Sequence, residues 1–87
     1  MKKKKPVTAQ DYIEVGQFYL LNQKYAEAIK QFKKALELKP DAQVYYQLGL
    51  AYEASNETTS AQDMYRKALT LDSKLVEAAE HLKKIST

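Results

Sequence analysis

Acid–base chemistry in this chain would have to centre on His81, which is the only histidine in the sequence. Histidine is the side chain that most readily moves protons near neutral pH, and Glu77 and Glu80 precede it within one helical turn. Carboxylates beside lysines such as Lys83 and Lys84 ordinarily form solvated ion pairs on a helix surface. Paired carboxylates act as acid and base only when their environments differ, and nothing in the pattern arranges that. We therefore expect His81 to be a solvated surface residue and predict no catalytic residues.

The sequence also gives no support for covalent catalysis, metal binding or cofactor binding. The chain has no cysteine, which excludes disulfides, thiolate metal ligands and cysteine nucleophiles. Its two glycines, Gly16 and Gly49, form no glycine-rich phosphate loop, and no metal-ligand spacing occurs. A chain of 87 residues has a modest core, which leaves little room for a deep, dry cleft. The sequence thus predicts a protein that is not an enzyme and uses no cofactor and no metal.

The basic character of the chain is confined to one end. The net charge is +3, but without the amino-terminal lysines 10 basic and 11 acidic residues remain; those lysines are Lys2, Lys3, Lys4 and Lys5. They could make weak contacts with an anionic lipid or nucleic acid, or form a solubilising tail with no partner. No apolar stretch follows them, so we expect no signal peptide, and no apolar run is long enough to span a bilayer. We expect a cytoplasmic protein.

The sequence contains an internal repeat, and this repeat predicts the helices that position the side chains considered above. Gly16 and Gly49 lie 33 residues apart, and nine further residues recur at the same offset. The recurring pairs include Tyr12 with Tyr45, Tyr19 with Tyr52, Ala28 with Ala61, Ala35 with Ala68, Leu36 with Leu69 and Lys34 with Lys67. A fixed period of this length is typical of stacked helical repeats.

The apolar spacing within each unit predicts two helices. Apolar residues recur three and four positions apart, with no strand-like alternation. Thr8, with Asp11, is expected to cap the first helix, Asp41 the third and Thr58 or Thr59 the fourth. Asn22 is suited to a left-handed helix end. A fifth amphipathic segment, about residues 74–85, can be capped by Ser73 or Asp72 and would cover the end of the stack.

These residues resemble the tetratricopeptide repeat, a helix–turn–helix unit of about 34 residues with small and aromatic residues at fixed places. The first unit supplies Tyr12, Val15, Gly16, Tyr19, Ala28, Phe32, Ala35 and Pro40; the second supplies Tyr45, Leu48, Gly49, Tyr52, Ala61, Tyr65 and Ala68. The turn within each unit usually contains glycine, but here it contains Gln23 and Asn56. The resemblance implies an all-α fold, a right-handed α-solenoid of two antiparallel helix hairpins and a C-terminal capping helix. Its parts would be a disordered basic tail over residues 1–7, repeats over 8–41 and 42–73, and the capping helix over 74–87.

In that family the first helices of successive units line a concave groove that receives a peptide or a helix. Carried over to this chain, the resemblance implies a non-catalytic adaptor or scaffold whose peptide-binding groove is formed by Ile13, Gln17, Leu20, Tyr46, Gln47, Leu50 and Glu53. Family members that bind chaperone tails hold a carboxylate with lysine, arginine and asparagine. The matching places here hold Ile13, Gln17 and Gln47, so we expect no Hsp70/Hsp90 carboxylate clamp.

Self-association is the alternative. Phe18 is large, whereas its counterpart Ala51 is small, so the first helix could present an apolar side to a second copy and form a homodimer. Phe18 could instead simply fill local space within the chain.

Overall fold

The computed structural model describes residues 7–86, which form five α-helices and, within that range, no strand. The helices are α1 (Ala9–Leu21), α2 (Tyr25–Leu38), α3 (Ala42–Ala54), α4 (Thr58–Leu71) and α5 (Val76–Ile85). Consecutive helices pack on each other, and α1 also contacts α3. The predicted all-α solenoid of two hairpins and a final helix is confirmed. The lysines at positions 2–5, and with them residues 1–6 of the predicted tail, lie outside the described residues.

The first helix of each hairpin begins at a side-chain cap. The Thr8 hydroxyl accepts a hydrogen bond from the Asp11 backbone N–H over 3.1 Å, and the Thr8 N–H donates to Asp11 Oδ2 over 3.0 Å. Asp41 Oδ1 accepts from the Gln43 N–H over 2.9 Å. These bonds satisfy backbone donors that have no partner inside the helix. Both predicted caps are confirmed.

The fourth helix begins differently from the prediction. Neither Thr58 nor Thr59 is the cap, because α4 starts at Thr58 after Glu57, which makes no capping bond with its side chain. Asn56 has a φ of 64°, and the Glu57 N–H donates to the Tyr52 carbonyl over 2.9 Å. This pattern is a Schellman turn, in which left-handed backbone carries the chain directly from one helix into the next. The fourth helix therefore needs no separate start signal.

The same turn joins α1 to α2. Gln23 has a φ of 62°, and the Lys24 N–H donates to the Tyr19 carbonyl over 2.9 Å. The prediction that Asn22 occupies the left-handed position is wrong, since its φ is −93°. The Asn22 side-chain amide instead donates to the Phe18 carbonyl over 2.7 Å.

The start of α5 also differs from the prediction. Neither Ser73 nor Asp72 caps the helix, which begins at Val76 after Leu75 with no capping bond from a side chain. Asp72 Oδ1 accepts from the Lys74 N–H over 3.0 Å, so its side chain serves the turn between α4 and α5.

The core repeats with the sequence. Ala28, Phe32 and Ala35 of α2 are fully buried, and so are their counterparts Ala61, Tyr65 and Ala68 of α4. Each glycine lies against the ring of the following helix. A Cβ atom on Gly16 would lie 2.6 Å from Phe32 Cε1, and one on Gly49 would collide with Tyr65 Cε1. The glycines recur because nothing larger fits between the two helices of a hairpin at this distance.

The two hairpins differ in how fully their first helix is covered. Leu48 and Ala51 of α3 are 1% and 0% exposed, whereas the equivalent Val15 and Phe18 of α1 are 42% and 61% exposed. The reason is that α2 packs on α3, while no described element packs on that side of α1. Within residues 7–86 no helix combines the length and the apolar character that crossing a bilayer requires.

Candidate peptide-binding groove

The groove residues predicted from the sequence come from α1 and α3, which contact each other. We call this set the groove face; each member is partly buried, and its residues are Ile13, Gln17, Leu20, Tyr46, Gln47, Leu50 and Glu53. The four apolar members pack against the core with one side. The remaining surface of each is open to solvent. An apolar side chain held in place by the core but not fully covered by it is suited to contact a ligand.

Glu53 is the most connected polar residue of the groove face. Tyr65 Oη donates to Glu53 Oε1 over 2.7 Å, and His81 Nδ1 lies 3.1 Å from the same oxygen. A carboxylate only accepts, so Nδ1–H of His81 is the donor. These two bonds link α3 to α4 and to α5 through one carboxylate oxygen.

The surroundings of Glu53 favour its charged form. Partial burial raises the pKa of the Glu53 carboxyl, but the hydrogen bonds from Tyr65 and His81 and the nearby charge of Lys84 outweigh that effect and hold the pKa below its ordinary value. Burial, and then the same contact with Glu53, raises the pKa of the Tyr65 hydroxyl far above its ordinary value. Tyr65 is therefore a neutral donor and Glu53 a charged acceptor at physiological pH.

His81 is not the solvated surface residue that we expected from the sequence. Its side chain is only 31% exposed, and its ring centroid lies 5.7 Å from that of Tyr46 and 5.5 Å from that of Tyr65. The rings of Tyr46 and Tyr65 are 5.9 Å apart. His81 lies three residues after buried Ala78, at the edge of the apolar stripe of α5, so the packing of that helix turns the ring towards α3. A histidine at the edge of a stripe cannot be assigned to either side from spacing alone.

The charges near Tyr46 are negative. Its pKa is raised by partial burial, and then by the carboxylates of Glu77, Glu53 and Glu80. Within residues 7–86 no group of three or more histidine, cysteine, aspartate or glutamate side chains is placed to hold a metal ion. The arrangement can therefore orient hydrogen bonds and attract positive charge, and it offers apolar contacts beside them.

Two cavities on the surface lie away from the groove face. A cavity of about 340 Å³ is lined by side chains of α2, α3 and α4, among them Lys33, Tyr45, Leu48 and Lys67. A second cavity of about 300 Å³ adjoins it at Tyr45 and Lys67. No residue of the groove face lines either cavity. Neither cavity is therefore part of the groove face, whose residues are each partly exposed.

The family is decided by a comparison over most of the chain. Residues 7–74 match the family model of the tetratricopeptide repeat. The chain belongs to the tetratricopeptide repeat family. As a tetratricopeptide repeat protein it has two repeats, and α5 follows the matched segment.

Two individual proteins are similar to this tetratricopeptide repeat chain. The protein O-mannosyl-transferase F38B6.6 of Caenorhabditis elegans is 26% identical over 81 residues, which is 92% of this chain and 12% of that protein. The chain thus spans about an eighth of the length of that relative. Among solved structures, the first tetratricopeptide repeat domain of Spaghetti (RPAP3), bound to the HSP90 peptide SRMEEVD, superposes with a TM-score of 0.52 at 22% identity, covering 91% of this chain and 90% of that one. That likeness shows the fold.

Proposed function

We propose that this chain is a non-catalytic protein-interaction module that binds an extended or helical segment of a partner protein on the groove face. The observation that carries the proposal is that Ile13, Tyr46 and Leu50 pack against the core but are only partly buried by it. Membership of a repeat family whose first helices line a groove supports the same reading. The cytoplasmic location expected from the sequence stays a prediction.

Tyr46 and Leu50 are the central anchors in this proposal. They lie one helical turn apart on α3 and therefore share a side of the helix. Ile13 extends the apolar contact onto α1, and the amides of Gln17 and Gln47 can orient the backbone of the ligand. With few anchors on an open surface, we expect a dissociation constant on the micromolar order.

The groove face is not suited to a chaperone-tail carboxylate. Ile13, Gln17 and Gln47 occupy the clamp positions, and neither α1 nor α3 contains a lysine or an arginine. Desolvating a carboxylate without a cation to pair with it is unfavourable. The absence of a clamp is therefore part of the proposal.

The experiment selects peptides on the chain from a random phage-displayed library and measures the affinity of synthetic copies by calorimetry. We expect Leu50→Ala and Ile13→Ala each to weaken binding roughly tenfold, as loss of a well-placed apolar anchor does. Tyr46→Ala should do the same, but it also removes ring contacts with Tyr65 and His81, so its melting temperature must be measured alongside.

Leu38→Ala is the matched control, because Leu38 is 56% exposed on α2 and lies outside the groove face. Unchanged affinity in the Leu50→Ala and Ile13→Ala variants, with helical content intact, would reject this site. Equal losses in the control would also count against it.

A second candidate function, self-association through α1, is favoured by one observation. Phe18 is 61% exposed beside Val15 at 42%, at positions that are buried in α3. An exposed aromatic and aliphatic pair on one side of a helix is a common feature of interfaces.

Light scattering over a concentration series tests this candidate. We expect a dimer that Phe18→Ala dissociates, and Val76→Ala, which alters an exposed apolar residue of α5, should leave it intact. A monomer at concentrations of hundreds of micromolar would dispose of the idea.

A further inference from the structure

Acidic and basic residues are distributed unequally between the first and second helices of the two hairpins. The helices of the groove face, α1 and α3, contain no lysine or arginine, and their charged residues are Asp11, Glu14 and Glu53. The second helices of the hairpins, α2 and α4, contain five basic residues: Lys30, Lys33, Lys34, Arg66 and Lys67. They contain three acidic residues, Glu27, Glu37 and Asp63. The helices that form the groove face are therefore the acidic part of the two hairpins, and Glu53 is the charged residue of the groove face itself.

The final helix adds acidic side chains at one end of that face. His81 of α5 contacts both Tyr46 and Glu53, so α5 lies beside the groove face. Glu77 and Glu80 of the same helix are exposed and lie near enough to Tyr46 to act on it electrostatically. Arg66 pairs with Asp63, and His81 contacts Glu53; Glu77 and Glu80 take part in neither contact.

We infer that the partner segment is basic, with a lysine or arginine side chain placed beside Tyr46 and aliphatic side chains placed on Leu50 and Ile13. This inference rests on the proposed function and names the chemistry of its ligand. A cation over the tyrosine ring gains from the charge distribution of the ring as well as from the carboxylates around it. One aromatic ring, an acidic border and an aliphatic patch along α3 together define such a ligand.

An acidic segment fits the same surface poorly. Its carboxylates would approach Glu53, Glu77 and Glu80, and α1 and α3 supply no cation to offset the repulsion. Lys84 of α5 already acts electrostatically on the Glu53 carboxylate. Like charges brought together at an interface lower affinity and slow association.

The test uses two synthetic peptides of equal length and equal leucine content, one with lysine and one with glutamate at the intervening positions. Their binding to the full chain is measured by fluorescence anisotropy at about 50 mM and about 300 mM salt, because screening weakens ionic contacts between exposed groups. We expect the lysine peptide to bind, to bind less tightly at high salt, and to lose roughly tenfold in affinity in the Glu77→Gln, Glu80→Gln double variant.

The control is Glu27→Gln with Glu37→Gln, which changes the net charge equally but on α2. Equal losses in the two double variants would indicate attraction by net charge alone and overturn the inference. Tighter binding of the glutamate peptide, or no binding of either peptide, would also overturn it. Selected library peptides that are neutral or acidic and depend on Leu50 would overturn the inference while leaving the groove itself supported.

Discussion

Tyr65 connects the packing of the second hairpin to the groove face. Its ring is fully buried against Gly49, and its hydroxyl reaches Glu53. Phe32 fills the same place in the first hairpin but has no hydroxyl to donate. The replacement of phenylalanine by tyrosine between the two repeats therefore adds one polar contact to an otherwise repeated core.

Gly49→Ala should destabilise the fold by about 1–3 kcal/mol, because the new methyl group would collide with a ring that hydrogen bonding holds in place. Gly16→Ala should act in the same direction against Phe32. Urea denaturation followed by circular dichroism measures both effects. Alanine at an exposed helical glycine is normally stabilising, so a gain in stability would contradict the close contact described here.

The ionisation of Glu53 should contribute to stability in a pH-dependent way. Its pKa in the folded chain lies below its ordinary value of 4.5, so its contribution is complete above that pH and is lost as the pH falls through the lowered pKa. We expect the difference in unfolding free energy between the natural chain and Glu53→Gln to shrink as the pH falls from 7 towards 3. Urea denaturation of both proteins over that range measures it, and a constant difference would exclude the role.

The sequence predicts the roles of some residues better than others. Gly16 and Gly49 recur in register inside helices, where glycine is otherwise unfavourable, so the sequence alone indicates that close packing requires them. The contact of His81 with Glu53 spans 28 residues and depends on how α5 packs against α4. No periodicity within α5 contains that information, so the sequence alone places His81 on the solvent side of the helix.

The helices begin in two ways, according to their place in the hairpin. Helices α1 and α3 start from extended backbone with a side-chain cap, whereas α2 and α4 start from a Schellman turn without one. Spacing could predict the first kind, because capping residues are local signals. It could not predict the second kind of start. Thr58 and Thr59 are as well suited to capping as Thr8, but they follow a Schellman turn, after which the helix starts without a side-chain cap.

This difference predicts unequal effects of two similar substitutions. Thr8→Ala should cost about 1 kcal/mol, because it removes the cap and the reciprocal bond with Asp11. Thr58→Ala should change stability by less than about 0.5 kcal/mol, since Thr58 is already the first residue of α4 and is exposed. Thermal denaturation of the two variants compares them directly, and equal losses would show that Thr58 has a capping role.

At the scale of the whole molecule, the middle of the stack is better covered than its first helix. The two hairpins, their order and the final helix were predictable from the repeat, because each unit must bury its apolar side against a neighbour. The exposure of Val15 and Phe18 could not be derived from their own sequence, since the same positions are buried in α3. The extent to which the first helix of a hairpin is buried therefore depends on its position in the stack of helices.

The rate of backbone hydrogen exchange should differ between the well-covered helix α3 and the less covered helix α1. We expect the backbone amides of Leu48 and Ala51 to exchange more slowly than those of Val15 and Phe18, because α3 packs on neighbours on both sides. Nuclear magnetic resonance measurements of exchange would give each rate. Uniform protection along the four helices would mean that the chain opens only as a whole.

Each of the two hairpin turns contains one left-handed residue at which a substitution can raise the thermal stability of the protein. Gln23 and Asn56 both hold a Cβ atom in backbone that glycine adopts without strain. Asparagine accepts this conformation more readily than glutamine, so position 23 carries the larger conformational penalty. A screen for heat-resistant variants of this chain should therefore recover glycine at position 23 before it recovers changes in the core.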